Sequence, residues 1–246
     1  MLQSTRAVSA LFLTAFIGFT LACTGATTTV AGERAASGEC PEGEVCSDKA
    51  PAGLLFQGQM LYDEGEDRLG PVLVGGRFDV LFFPEGYSLK GQWTAEVEGA
   101  DHRIREGGEP GVELMGTEAG TAMLRVIDPE TGHLYDRLSI EVVELEDIEL
   151  TNVAEPGRAT LKAGCEEMIG IRMLSAGGSL RAFDQNLKVR APDVVADRFA
   201  WDCFRYMVPP DATEVTFEME AAGEIWERTL PVEPLEEGQT CPVLGD

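Results

Sequence analysis

The chain has 246 residues, with 43 acidic side chains against 19 basic ones and a formal net charge of −24. A field of that sign repels phosphate backbones, which proteins bind through Lys and Arg, so the composition argues against nucleic-acid binding. Anionic lipid headgroups are disfavoured for the same reason. Hydrophobic residues make up 44% of the chain, enough for a packed core. The length suits two domains of roughly 100 residues better than one.

The N-terminus carries the parts of a secretory signal. Arg6 supplies a positive charge, and the run from Ala7 to Ala22 holds no charged residue. This run is shorter than the roughly 20 apolar residues that cross a membrane as a helix, and no second basic flank follows it. We therefore predict a signal peptide over residues 1–22, with an uncleaved membrane helix or a buried helix as the alternatives. Its removal takes away one Arg and no acid, which changes the formal charge from −24 to −25.

The leader ends in Thr20-Leu21-Ala22-Cys23, which resembles the lipobox of bacterial lipoproteins. In that family small residues precede a cysteine that is lipidated and becomes the mature N-terminus. Ala22 and Cys23 match the pattern, whereas Thr20 stands where the family usually has Leu, and Leu21 is one residue late. The resemblance implies attachment to the membrane through lipid on Cys23, since several acyl chains give stable anchoring. Ordinary signal-peptidase cleavage, which releases a soluble exported protein, is the alternative.

Five cysteines follow the leader cysteine, and an oxidising compartment pairs them. Five cannot all pair within one chain, so a lipidated leader cysteine leaves one thiol over, whereas an unmodified one permits three bridges. We predict that Cys40 pairs with Cys46, because they close a small loop. For the second bridge we favour Cys165–Cys203 over Cys203–Cys241, because Cys241 lies in a Pro- and Gly-bearing tail. No spacing is C-x-x-C, which argues against a zinc or thioredoxin-type site.

The first part of the mature chain is predicted to be a tether followed by a β-module. Residues 24–39 are small, polar and aperiodic, so we expect a flexible tether that extends, with the Cys40–Cys46 loop, over residues 23–52. Short β-type runs then follow without an amphipathic helix between them, namely Leu54–Leu61, Arg77–Phe83, Trp93–Glu98, Gly120–Ile127 and Leu138–Val143. Their period-2 alternation predicts an antiparallel β-sandwich over residues 53–146.

A second module is predicted over residues 147–234, before an acidic tail at 235–246. Seven short runs indicate it, namely Ala159–Ala163, Glu167–Leu174, Ser179–Phe183, Asn186–Val189, Phe199–Met207, Ala212–Glu220 and Ile225–Val232. In the sixth, Val215, Phe217 and Met219 alternate with polar and acidic residues, which predicts one apolar face and one acidic face. Seven short strands again favour a sandwich.

The first module carries motifs that resemble bacterial immunoglobulin-like domains. These are W-x-A-x-V-x-G from Trp93 to Gly99, G-T-A-x-L-x-V from Gly120 to Val126, a D-x-x-T-G turn from Asp128 to Gly132, and I-x-V from Ile140 to Val142. The similarity covers residues 54–146. Domains of this family are β-sandwich modules of surface and exported proteins, mostly spacers or adhesive units. The resemblance implies an all-β chain of two tandem immunoglobulin-like sandwiches that spaces or binds another envelope protein.

The sequence contains no catalytic motif that we recognise, so we expect a non-enzymatic protein without a cofactor. His102 and His133 are most simply loop residues, and no Cys/His cluster accompanies them. Trp93, Trp201 and Trp226 lie in alternating runs, which favours packing in or near a core over stacking on sugars.

The best ligand candidate is an acidic cluster. Asp63, Glu64, Glu66 and Asp67 surround Gly65 and offer carboxylate oxygens of the kind that bind Ca²⁺. The cluster does not fit EF-hand spacing, and a solvated acidic loop is the simpler interpretation. A calcium- or carbohydrate-binding exported module is therefore the alternative function.

Overall fold

The structure is a computed structural model that describes residues 27–50, 52–59, 69–83, 89, 93–153, 155, 158–175, 181–182, 184, 186–191, 194–195, 197–200, 203–236 and 238–241. In these ranges the chain is nearly all β, with the single short helix α1 at Glu33–Ser37. The strands are β1 (Thr27–Ala31), β2 (Leu55–Gln59), β3 (Val72–Leu73), β4 (Arg77–Phe83), β5 (Thr94–Glu98), β6 (Ala100–Ile104), β7 (Gly111–Gly116), β8 (Gly120–Ile127), β9 (Leu134–Val143), β10 (Leu145–Asn152), β11 (Leu161–Lys162), β12 (Glu166–Ser175), β13 (Arg181–Ala182), β14 (Lys188–Ala191), β15 (Val194–Val195), β16 (Asp197–Ala200), β17 (Cys203–Met207), β18 (Glu214–Ala221) and β19 (Glu224–Glu233). The predicted all-β class is confirmed.

The first module is built from two sheets, with strand orders β1-β2-β4-β7-β6 and β3-β9-β8-β5. All pairings in them are antiparallel except that of β3 with β9, which is parallel. The alternation in β4 works as predicted, because Phe78, Val80 and Phe82 are fully buried while their neighbours are partly exposed. These side chains pack with those of β7 and β8 into one hydrophobic core.

The second module is built in the same way, from a sheet of order β10-β12-β17-β16 and one of order β11-β19-β18-β14-β15. β13 pairs with β12 beside the first of these sheets, and β11 pairs with β19 in parallel. The predicted apolar face of β18 is buried, and Phe217 is a fully buried member of a second hydrophobic core. Its ring meets those of Phe204 and Tyr206 edge-on, at centroid distances of 5.3 and 5.1 Å.

The prediction of a flexible tether is wrong for residues 27–37. Thr27–Ala31 forms β1, an edge strand that pairs antiparallel with β2, and Glu33–Ser37 forms α1. The β-branched threonines of this segment suit an edge strand, where one side of the backbone stays in contact with water. The N-terminal part of the described chain therefore belongs to the first module.

The two modules meet at a short connection. β9 ends at Val143 and β10 begins at Leu145, so one residue, Glu144, separates the last strand of the first module from the first strand of the second. β3 lies beside the end of β9, with Leu73 in register with Val143. Val72 faces the core of the first module, whereas Leu73 and Val143 belong to the core of the second.

Candidate functional site

The residues that the sequence singles out for lipidation and metal binding lie outside the described residues. These are Cys23 and the acidic cluster Asp63, Glu64, Glu66 and Asp67. Within the described part of the chain, no group of three or more His, Cys, Asp or Glu side chains is placed to hold a metal ion. The calcium hypothesis therefore rests on the sequence of that cluster alone.

The first predicted disulfide is present. Cys40 and Cys46 are bonded, with a Cα–Cα distance of 5.8 Å. The loop they close lies beside the start of β9. There the backbone of Cys46 forms an isolated parallel β-bridge with that of Leu134, and the N–H of Ser47 donates to the Leu134 carbonyl at 2.8 Å. The small loop therefore fastens the chain before residue 50 to the second sheet of the first module.

The predicted Cys165–Cys203 bridge is wrong, because Cys165 is bonded to Cys241, with a Cα–Cα distance of 5.3 Å. The strand register explains the difference. Cys203 lies opposite Gly170 on the neighbouring strand, five residues from Cys165, which is about 16 Å along a β-strand. A disulfide requires Cα atoms within about 7 Å. Cys203 is buried, and none of the cysteines in the described ranges is a free thiol.

The described histidines lie on an edge strand and after a turn, and the described tryptophans pack beside other side chains. His102 is exposed on the edge strand β6, not in a loop as expected, and His133 follows the turn between β8 and β9. Trp93 is half-buried and meets the Phe82 ring edge-on at 4.7 Å. Trp226 is also half-buried, with the Arg228 guanidinium 5.6 Å from its ring centroid. Trp201 lies outside the described residues.

An open groove of about 550 Å³ lies beside β9 in the first module. It is lined by apolar side chains that include Val30 and Leu138, together with Ser139 and Glu141. Glu141 is the one carboxylate among these lining residues, and none of them is a histidine or a cysteine. This lining supplies neither a carboxylate pair nor a nucleophile–base pair for catalysis.

Buried polar side chains instead cluster where segments of chain are joined. In the first module, the fully buried Asp136 carboxylate accepts the backbone N–H groups of Arg34 (2.8 Å), Ala35 (3.0 Å), Leu54 (2.9 Å) and Arg137 (2.7 Å). Two of these donors belong to α1, so the carboxylate fastens the N-terminal segment to β9. Hydrogen bonds from several N–H groups stabilise a buried carboxylate in the place of water.

The Arg34 side chain completes this attachment. It is 8% exposed, and its Nη1 donates to the backbone carbonyls of Ser47 (2.9 Å), Leu134 (3.4 Å) and Tyr135 (3.4 Å). Gly32 lies directly over Asp136, since a Cβ at Gly32 would meet the carboxylate oxygens at 2.4 and 2.7 Å. No local sequence signal points to this arrangement, because Arg34 is 102 residues from Asp136 and 100 residues from Leu134.

In the second module, Glu167 holds a loop in the same manner. Its fully buried carboxylate accepts the Asn152 side-chain amide at 2.7 Å, Arg158 Nη2 at 2.7 Å and the backbone N–H of Lys162 at 2.9 Å. Three donors from separate positions along the chain thus converge on one buried carboxylate. This carboxylate is therefore engaged in structure rather than directed at a cavity.

A third buried carboxylate, that of Asp184, lies between the modules and is 3% exposed. Its Oδ1 accepts the backbone N–H of Arg77, the first residue of β4, at 3.2 Å, and that of Asn186 at 2.9 Å. Its Oδ2 accepts the backbone N–H of Ala222, in the turn between β18 and β19, at 2.8 Å. One carboxylate therefore joins a strand of the first module to a turn of the second.

The part of the chain that the structure describes contains no helix that is long and apolar enough to cross a membrane.

No protein-family model and no curated protein matches this chain. Among solved structures, the chain is similar to the Escherichia coli adhesin FdeC, with 13% identity over 74% of each chain and a TM-score of 0.28. It is similar to the Yersinia pseudotuberculosis adhesin InvE, with 13% identity over 66% of this chain and 56% of that chain, and a TM-score of 0.26. A C-terminal fragment of intimin, solved with the intimin-binding domain of its receptor Tir, is 11% identical over 70% of this chain and 64% of that chain, with a TM-score of 0.28. Such low TM-scores carry no argument about function.

Proposed function

We propose that this is an exported, non-catalytic protein of the bacterial cell envelope. Its two sandwich modules, which lie on either side of Glu144, space or bind another envelope protein, and lipid on Cys23 anchors them. Export is supported by the charge-free apolar leader and by the two disulfides, which persist in oxidising compartments. A structural role is supported by the buried carboxylates of Asp136, Asp184 and Glu167, whose hydrogen bonds fasten segments of the chain.

The observation that carries the spacing role is the continuity of the two modules. A single residue, Glu144, links them, and Leu73 and Val143 of the first module pack into the core of the second. A linker of one residue leaves little freedom between domains, in contrast to the longer Gly/Ser linkers that behave as random coils. Such a connection suits a protein that holds a partner at a fixed distance from its anchor.

The anchor is tested by the chemistry of Cys23. A thioether to lipid and a disulfide would both use the sulfur atom of Cys23, so the two states exclude each other. We expect intact-mass spectrometry of the native protein, followed by non-reducing digestion, to show an acylated N-terminal Cys23. An unmodified N-terminus, or a disulfide-linked peptide that contains Cys23, would overturn the anchor and favour a soluble exported protein.

Cell fractionation gives an independent measurement of the same proposal. We expect Cys23→Ser to move the protein from the membrane fraction to the soluble fraction. Cys40→Ser is the matched control, because it removes a thiol from the Cys40–Cys46 loop and leaves Cys23 available for lipidation. Equal membrane retention of both variants would contradict lipid anchoring at Cys23.

A further inference from the structure

We propose that the buried Asp184 carboxylate locks the two modules into one rigid unit. The lock consists of Asp184, the turn at Leu73–Gly76 in the first module, and the turn at Ala222 in the second. This inference rests on the proposed spacing function and adds to it the residue that fixes the relative orientation of the modules.

The hydrogen bonds of Asp184 provide the first support. Its carboxylate accepts one N–H from each module, from Arg77 at 3.2 Å and from Ala222 at 2.8 Å, and it is almost completely shielded from water. Hydrogen bonds to an ionised acceptor are stronger than those between neutral groups. A bend at the connection separates Arg77 from Ala222, so it leaves a buried charge with fewer donors, which is costly.

Close backbone packing at the same place provides the second support. Gly75 has φ +77°, and a Cβ at this position would lie 2.6 Å from the carbonyl oxygen of Ala222. Ala222 itself has φ +53°, an uncommon conformation for a residue other than glycine. The two turns therefore meet backbone to backbone. Their contact leaves no room for a side chain at position 75.

The third support is the hydrophobic contact beneath these turns. Leu73 is fully buried and packs in the core of the second module, although it lies on a strand of the first. Hydrophobic burial opposes separation of the two modules but is not directional. The Asp184 hydrogen bonds add directionality, since they require specific positions of Arg77 and Ala222. Together these contacts specify one orientation.

Distance measurement between the far ends of the modules tests the lock. Spin labels attached through unnatural amino acids at Glu106 and Thr213 avoid the native disulfides. Both positions are exposed, in the connections β6–β7 and β17–β18, at the ends of β7 and β18 away from the lock. In the full exported chain we expect double electron–electron resonance to give one narrow distance distribution.

Two variants remove the lock in different ways. Asp184→Asn keeps the size of the side chain but loses the charge, and Gly75→Ala keeps Asp184 but places a methyl group against Ala222. We expect the narrow distribution to be lost in both. Asp211→Asn, a matched change at an exposed residue, is expected to keep it. Near-UV circular dichroism reports whether each variant is folded.

The possible outcomes separate the lock from the proposed function. A broad distribution in the native protein, or a narrow one retained in folded Asp184→Asn and Gly75→Ala, would overturn the lock. If Asp184→Asn fails to fold, the result for Gly75→Ala decides. None of these results alters the mass of the N-terminus or the fractionation of Cys23→Ser, which test the envelope proposal by themselves.

Discussion

Lys49 Nζ lies 2.8 Å from Asp128 Oδ2 and joins the chain that follows the Cys40–Cys46 loop to the turn between β8 and β9. Asp128 is buried, whereas Lys49 is partly exposed and also contacts Glu130 at 3.1 Å. The hydrogen bond from Lys49 lowers the pKa of the Asp128 carboxyl below its ordinary value of 3.8. The hydrogen bond to Asp128 raises the pKa of Lys49 above its ordinary value.

These shifts predict how stability depends on pH. The folded protein holds the pKa of Asp128 below 3.8. The contribution of the Lys49–Asp128 contact to the free energy of unfolding is therefore complete above that pH, and it is lost as the pH falls through the folded pKa. We expect Lys49→Met to bring this pKa closer to its ordinary value, so that stability falls less steeply on acidification below pH 3.8. Urea unfolding midpoints measured against pH check this.

The same variant in an Asp128→Asn background is the control for that prediction. In this background, position 128 has no carboxyl group whose pKa Lys49 could lower. The acid limb of the stability curve is then expected to be the same with and without Lys49. Parallel acid limbs in the native background would show that the Lys49–Asp128 contact does not control this titration.

Asp136→Asn is expected to destabilise the first module by about 3 kcal/mol, since the variant leaves buried backbone N–H groups facing an amide instead of a carboxylate. Chemical denaturation monitored by circular dichroism measures the change. Asp101→Asn is the matched control at an exposed position on β6, and we expect it to stay within about 0.5 kcal/mol of the native protein. Equal effects of the two variants would contradict the role of Asp136 in fastening α1.

Leu73→Ala is expected to weaken the second module although the residue belongs to a strand of the first. The loss of a buried Leu side chain costs about 3 kcal/mol. The adjacent Val72→Ala is the comparison, because Val72 faces the first core. Hydrogen exchange is expected to increase around Phe217 for Leu73→Ala and around Phe78 for Val72→Ala. Increased exchange around Phe78 alone in both variants would show that Leu73 does not support the second core.

Removal of the long-range disulfide is expected to cost more than removal of the short one. In the chain-entropy model, the loop closed by Cys165 and Cys241, 76 residues apart, contributes about 4.5 kcal/mol. The loop closed by Cys40 and Cys46, six residues apart, contributes about 2 kcal/mol. Denaturation of Cys241→Ser and Cys40→Ser compares them, and an equal or reversed order would contradict the prediction.

Millimolar Ca²⁺ is expected to leave the melting temperature unchanged, because a solvated loop is the simpler interpretation of the acidic cluster at 63–67. A ligand that binds the folded state alone raises this temperature by mass action. A rise that disappears when Asp63, Glu64, Glu66 and Asp67 are changed to their amides would instead establish a calcium site.

The strands that alternate strictly were predictable from the sequence. β4 has the predicted bounds, and in β18 Val215, Phe217 and Met219 are buried as expected, because one face of each strand is apolar. β6 was missed because this edge strand is exposed on both faces, so the polar residues Asp101, His102 and Arg103 follow one another without an apolar alternation.

The contacts that join segments and modules were not predictable in this way. Asp184 has no distinguishing neighbour in the sequence, and its partners Arg77 and Ala222 are 107 and 38 residues away. The partner of Cys165 likewise depends on the register of β12 against β17 and on the path of the tail back to Gly164. Such contacts depend on tertiary structure, which local periodicity does not contain.

The Cys165–Cys241 bridge also determines how the protein responds to mechanical force. A pull applied to the chain beyond Cys241 passes through the disulfide to Cys165 and bypasses the strands between them. The 76-residue separation corresponds to roughly 260 Å of extended chain that is released only after reduction. Under tension in an oxidising compartment, most of the second module therefore remains inextensible.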